Sequence, residues 1–121
     1  MNNFTSDIFD DDIFVTFKTA KVLKNNGYPY ICDSFYDNNG YIHALKEPGD
    51  IDGYIPRPML EHVRKWLYES NIVITIEQGR NGTMFHGYIC CPQDQKETVC
   101  FTNYYLAYNV AISEALRYLK K

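Results

Sequence analysis

The chain has 121 residues, the length of one ordinary domain, and can bury about two-thirds of its unfolded surface without a metal or disulfide staple. Hydrophobic residues make up 45% and charged residues 22%, which describes a globular protein. The net charge is −3, and four of the 15 acids (Asp7, Asp10, Asp11, Asp12) fall in the first twelve residues, leaving 11 acids against 12 bases. That balance lacks the basic excess on which phosphate-driven nucleic-acid binding rests.

No apolar run approaches the length that spans a bilayer, and the acidic start lacks the basic flank and apolar stretch of a signal peptide. The expected setting is therefore the cytoplasm, with Cys32, Cys90, Cys91 and Cys100 reduced.

Residues 1–9 read as a flexible lead-in. Asp10, Asp11 and Asp12 then precede Ile13, Phe17, Ala20 and Leu23, which share one helical face. The aspartates suit the N-terminus of that helix, and Asn26-Gly27 supplies its stop. From Tyr30 to Leu45 the pattern turns to β-favouring segments on either side of Asp37-Asn38-Asn39-Gly40, a hairpin signal. Residues 47–58 carry turn chemistry and read as loop. Pro56 and Pro58 lead into a second helix with the stripe Met59, Leu60, Val63, Trp66 and Leu67.

Ile72-Val73-Ile74-Thr75-Ile76 opens a second hairpin, turning at Gly79-Arg80-Asn81-Gly82 and returning from Thr83 to Cys91. A short extra strand fits 97–101. Thr102 or Asn103 caps the last helix, where Tyr104, Tyr108, Ala111, Ile112, Ala115 and Leu119 share a face. The predicted order is α-β-β-α-β-β-(β)-α. This implies a single α+β domain over residues 1–121, a two-layer sandwich in which an antiparallel sheet of two hairpins is covered by three helices. The expected core is Phe17, Leu23, Leu60, Val63, Trp66, Leu67, Ile74, Val110 and Ala111.

The motifs that carry chemistry are missing. There is no Cys-x-x-Cys, no paired-His spacing, no EF-hand loop, no phosphate-binding glycine loop and no nucleophile elbow. No metal, cofactor or catalytic residue is therefore assigned. Cys32, Cys91 or Cys100 with His43 or His86 leave a small Cys/His-dependent enzyme as a third reading. The stretch from 57 to 120 has the element order of a double-stranded-RNA-binding domain, and Arg57, Arg64 and Lys65 form a basic strip. Thr102-Asn103-Tyr104-Tyr105 puts no base where such domains grip phosphate, so nucleic acid is the second reading.

The first reading comes from the 11 tyrosines. Tyr28, Tyr30, Tyr36, Tyr41 and Tyr54 gather around the first hairpin, while Tyr104, Tyr105, Tyr108 and Tyr118 encircle the last helix. Tyrosine joins an apolar ring to a polar tip and is enriched where proteins meet. Tyr104, Tyr105, Tyr118, Tyr36, Tyr41, Arg57, Arg64 and Lys65 are the candidate binding residues. The expected activity is that of a non-enzymatic accessory domain that binds another protein, or a second copy of itself, with no membrane partner.

Three segments together resemble a family of small uncharacterised proteins from Bacteroides-type gut bacteria and their phages or mobile elements. They are Val15-Thr16-Phe17-Lys18-Thr19-Ala20-Lys21-Val22-Leu23-Lys24 leading into Gly27-Tyr28; Ile55-Pro56-Arg57-Pro58 leading into Lys65-Trp66-Leu67-Tyr68-Glu69; and Tyr104, Ala107, Ala111-Ile112 and Ala115-Leu116. The resemblance covers most of the chain. Pro58 stands where a Thr is usual and Tyr68 where an Arg is usual, and Leu106 and Tyr108 replace commonly polar residues. The resemblance implies a cytoplasmic protein of phage or mobile-element origin and carries no activity or site residues.

Overall fold

The computed structural model describes residues 12–44, 54–79, 84–92, 95–98 and 101–119. The lead-in with Asp10 and Asp11, the loop from Leu45 to Gly53, the turn residues Arg80-Asn81-Gly82 and Cys100 lie outside the described residues. The fold is α+β, and the described residues hold three α-helices and two three-stranded antiparallel sheets. The chain divides into two compact units, Met1–Met59 and Leu60–Lys121. No Pro-, Gly- or Ser-rich linker marks the boundary.

In unit 1, helix α1 spans Phe17–Asn25, four residues later than the periodicity predicts. Its N-cap is Thr16, whose hydroxyl accepts the Thr19 N–H at 3.3 Å, and not the aspartate run. Phe14 and Val15 are instead extended, with Phe14 bridging Met59 and the Val15 N–H donating to the Pro58 carbonyl at 3.1 Å. The helix ends as expected at Asn26-Gly27. Gly27 has φ +78°, and the Tyr28 N–H reaches back to the Leu23 carbonyl.

The first hairpin pairs β1 (Ser34–Tyr36) with β2 (Ile42–Ala44). Asp37 Oδ1 accepts the N–H groups of Asn39 and Tyr41, and only Gly40, at φ +87°, takes the left-handed conformation. The 47–58 loop yields a third strand that sequence reasoning missed, β3 (Ile55–Pro56), paired with β1 on its other side. Pro56 donates no hydrogen bond, which is tolerated because β3 is an edge strand. Val15, Ala20, Leu23, Tyr36 and Ile55 form the buried apolar centre of this unit.

Unit 2 runs α2 (Leu60–Glu69), β4 (Val73–Gln78), β5 (Phe85–Cys90), β6 (Gln95–Glu97) and α3 (Tyr104–Ala115), followed by a 3-10 turn at Leu116–Tyr118. The strands form a sheet in the order β4-β5-β6, so the optional extra strand exists, two residues earlier than expected. Asn103 is the cap of α3, its side-chain oxygen accepting the Leu106 N–H at 3.0 Å. The buried centre takes Leu60, Val63 and Leu67 from α2, Ile72, Ile74 and Ile89 from the sheet segments, and Ala107, Tyr108, Ala111, Ile112 and Ala115 from α3. Gly87 lets α3 lie close on the sheet, because a Cβ there would stand 2.8 Å from the Ala111 Cβ.

Three expected core residues are only half-buried. Phe17, Trp66 and Val110 sit on the flanks of their helices' buried stripes. Among the described residues no helix is long and apolar enough to cross a membrane.

Candidate functional site

Directly opposed residues in an antiparallel ladder share a face, and successive residues alternate. In unit 1 this rule separates two sets. Tyr36, Ile42 and Ile55 are mutually aligned on one face, and α1 packs there, the Phe17 and Tyr36 rings lying 5.4 Å apart. Phe35, His43 and Pro56 are aligned on the other face, and alternation adds Tyr41 and Tyr54. On that second face the Phe35 and His43 rings stack at 5.2 Å, and Tyr54 tilts against Phe35 at 5.4 Å.

The segment entering β1 extends this aromatic face. The Tyr54 hydroxyl accepts the Cys32 N–H at 2.9 Å, which fixes residues 28–32 beside it. Tyr28 and Tyr30 meet edge to face at 5.6 Å. The outer members are open: Tyr30 is 51%, Ile31 65% and Tyr41 68% exposed. Two acids flank the ring system. Asp33 and Asp37 lie two residues on either side of Phe35, and Asp37 Oδ2 pairs with His43 Nε2 at 2.8 Å. The lysines among the described residues of this unit, Lys18, Lys21 and Lys24, all belong to α1.

The electrostatics of this face favour neutral groups. Burial pushes the Tyr28 phenol well above its ordinary value, with Cys32, Tyr30 and Tyr54 adding to the effect. Burial likewise pushes Tyr54 up to about 12. The Cys32 thiol is raised by burial too, against the opposing hydrogen bonds from Tyr54 and the Arg57 backbone. A thiol held protonated is a poor nucleophile. The Asp37 carboxyl is lowered by its hydrogen bond to His43 and by the Tyr41 and Asn39 N–H groups, so it keeps its negative charge.

The residues expected at the surface divide accordingly. Tyr41 lies on the open face. Tyr36 does not: it is buried, and its hydroxyl donates to the Val15 carbonyl at 2.6 Å. Arg57 is corrected as well. Only 6% exposed, it lies over the Phe14 ring at 4.0 Å and donates to Ser34 Oγ at 3.0 Å, so it belongs to no solvent-facing basic strip. Its position before Pro58 places it at the end of β3 and not on α2. Sequence reasoning missed Phe35, His43 and Cys32 as neighbours of the tyrosines; the period-two alternation across the hairpin was the signal that could have found them.

In unit 2, Tyr104 is part-exposed and packs edge-on against Tyr105, Tyr108 and Phe85, while Tyr118 lies half-buried in the 3-10 turn. Arg64 and Lys65 are exposed on α2. Arg64 grips Glu61 through Nη2 at 2.8 Å and Nε at 3.2 Å, and Glu61 also accepts the buried Tyr108 hydroxyl at 2.9 Å. Lys96 and Arg117 both pair with Glu114. Among the described residues, three of the four lysines and arginines of this unit are thus matched to acids.

Of the residues behind the Cys/His reading, Cys100 lies outside the described residues, His43 is paired with Asp37, and Cys32 and His86 have the following partners. Cys32 hydrogen-bonds with Tyr54 and Tyr30, and Cys90 with Gln95. His86 pairs with Glu97 and lies against Tyr88 on the sheet face away from α3. Among the described residues no three His, Cys, Asp or Glu side chains gather closely enough to hold a metal ion. Comparison with known proteins finds no matching family, curated protein or solved structure.

Proposed function

We propose that this protein is a non-enzymatic binding module that docks another protein on the aromatic face of unit 1. The observation that carries this reading is the ring set Phe35, Tyr41, His43 and Tyr54, on the side of the β2-β1-β3 sheet opposite α1, with Tyr41 and His43 exposed and the exposed Tyr30 on the segment that enters β1. Rigid rings supply large contact area at low entropic cost, and they concentrate at the energetic centres of protein interfaces. The phenols stay neutral and able to donate at physiological pH, while the nearby thiol stays inert.

The free thiols of Cys32 and Cys90 support a reducing, cytoplasmic setting. The resemblance to small proteins of Bacteroides-type bacteria and their mobile elements directs the search for a partner to neighbouring genes.

A photo-crosslinking side chain at Tyr30, with a control at Lys18 on the opposite side, tests the reading in living cells. The expected result is a discrete crosslinked protein from position 30 that is absent from position 18 and is lost on Tyr54→Ala. Equal, diffuse labelling from both positions refutes it. Light scattering distinguishes a second copy of this chain from a different partner, since a strict monomer at high concentration removes the homodimer.

A further inference from the structure

We propose that the segment docking on this face is cationic, an arginine-bearing peptide whose guanidinium lies over the exposed rings and meets Asp33. The inference rests on the docking reading above and names the chemistry of its partner. Aromatic rings present a negative face that attracts cations, and arginine in particular stacks flat on such rings.

Among the described residues, the side-chain charges flanking these rings in the strands are acidic. Asp33 and Asp37 flank Phe35, and the strands of this sheet contribute no lysine or arginine. Asp33 is exposed and makes no ion pair among the described residues, so its carboxylate is available to accept from a guanidinium. Asp37 is already committed to His43 and two backbone N–H groups and serves as fixed negative potential. The same two acids repel a phosphate backbone, which is why a polyanion fits the face poorly.

The test is a titration of the ¹⁵N-labelled full chain with three short blocked Gly/Ser peptides of one design, carrying arginines, neutral citrullines or glutamates. The arginine peptide is expected to shift the amides of Tyr30, Phe35, Asp33 and Tyr54, and to bind about fivefold more tightly than its citrulline twin, the ratio that a surface cation–π contact supplies. Asp33→Asn should remove at least half of that preference, and added salt should narrow it. Equal binding by the citrulline peptide at the same amides overturns the cationic partner and leaves the docking face standing. Preference for the glutamate peptide, or no shift of these amides with any peptide at millimolar concentration, also overturns it. The crosslinks from position 30 then decide the docking reading separately.

Discussion

Gly87→Ala is the sharpest test of how unit 2 is packed. A Cβ built at Gly87 meets the Ala111 Cβ at 2.8 Å, with Ile76 Cδ1 and Thr98 Oγ1 both at 3.3 Å. Carbon atoms in favourable contact lie about 3.5–4.0 Å apart, so the added methyl asks for a displacement of roughly 1 Å. Ala111 is the wrong neighbour to provide it, because its Cβ is fixed to the backbone of α3. The whole helix must lift, and α3 carries Ala107, Tyr108, Ile112 and Ala115 in the same buried face. The Gly87 edge is pinned from the other side. Its N–H donates to Thr98 Oγ1 at 2.9 Å, and its carbonyl accepts the Thr98 N–H at 2.8 Å. The substitution should therefore cost about 2–3 kcal/mol, the upper range for overpacking.

Urea unfolding of four proteins measures this: wild type, Gly87→Ala, Ala111→Gly and the double variant. Ala111→Gly alone costs about 1 kcal/mol for helix propensity, plus the lost methyl contact. In the double variant the two carbons no longer collide, so most of the Gly87→Ala penalty should vanish and the two costs should be far from additive. A Gly87→Ala protein within about 0.5 kcal/mol of wild type refutes the close approach of α3, as does strict additivity across the cycle.

Three further outcomes are expected. Thr16→Ala should cost about 1 kcal/mol by removing the cap of α1, while Asp12→Asn should change stability by less than half that amount; thermal unfolding compares them directly. Tyr36→Phe should cost about 1–2 kcal/mol in urea unfolding, because it strands the Val15 carbonyl that the buried hydroxyl now satisfies at 2.6 Å. Arg64 first, and then the Tyr108 hydroxyl, hold the Glu61 carboxyl below its usual range. A lowered folded pKa means stability that is present above the ordinary carboxylate value of about 4.3 and lost as pH falls through the folded value. The urea midpoint of wild type should accordingly drop more steeply on acidification below about pH 5 than that of Glu61→Gln, and parallel curves would refute the assignment.

Much of this architecture was legible because local chemistry and tertiary structure agree. Thr102 or Asn103 reads as a cap, and Asn103 is the one that serves. Asn26-Gly27 reads as a helix stop and closes α1 with a reaching-back N–H. The Asp37–Gly40 turn is a hairpin, with the aspartate organising the backbone. What escaped follows a physical pattern. The end of α2 is closed the same way as α1 but with Asn71 at φ +65°, and an asparagine lacks glycine's freedom as a marker. Ile55-Pro56 pairs as a strand, although proline and the preceding turn residues speak for a loop. The aspartate run has cap chemistry, yet the extended pairing of Val15 with Pro58 delays the helix until Thr16 takes the role. The basic strip failed on one residue: a spacing of seven from Arg57 to Arg64 looks helical only if the helix already runs at 57, and it begins at Leu60.

The tyrosines illustrate the limit and its remedy. Counting them located the region of the candidate face but not its membership, since Tyr36 and Tyr41 are five residues apart in one hairpin and take opposite fates. Register separates them. Tyr36 opposes Ile42 and Ile55 and is drawn under α1, whereas Tyr41 alternates with Ile42 and stands beside His43 on the open side. The proposal of a docking face rests on the chemistry of the segment that enters β1 as well. Seating Cys32 beside Tyr54 and Tyr28 partly desolvates all three, and desolvation disfavours thiolate and phenolate alike. A site that needed a nucleophile would be disabled by that burial. The proposed docking face needs no nucleophile: it needs rings and hydroxyl groups, with the exposed Asp33 carboxylate beside them.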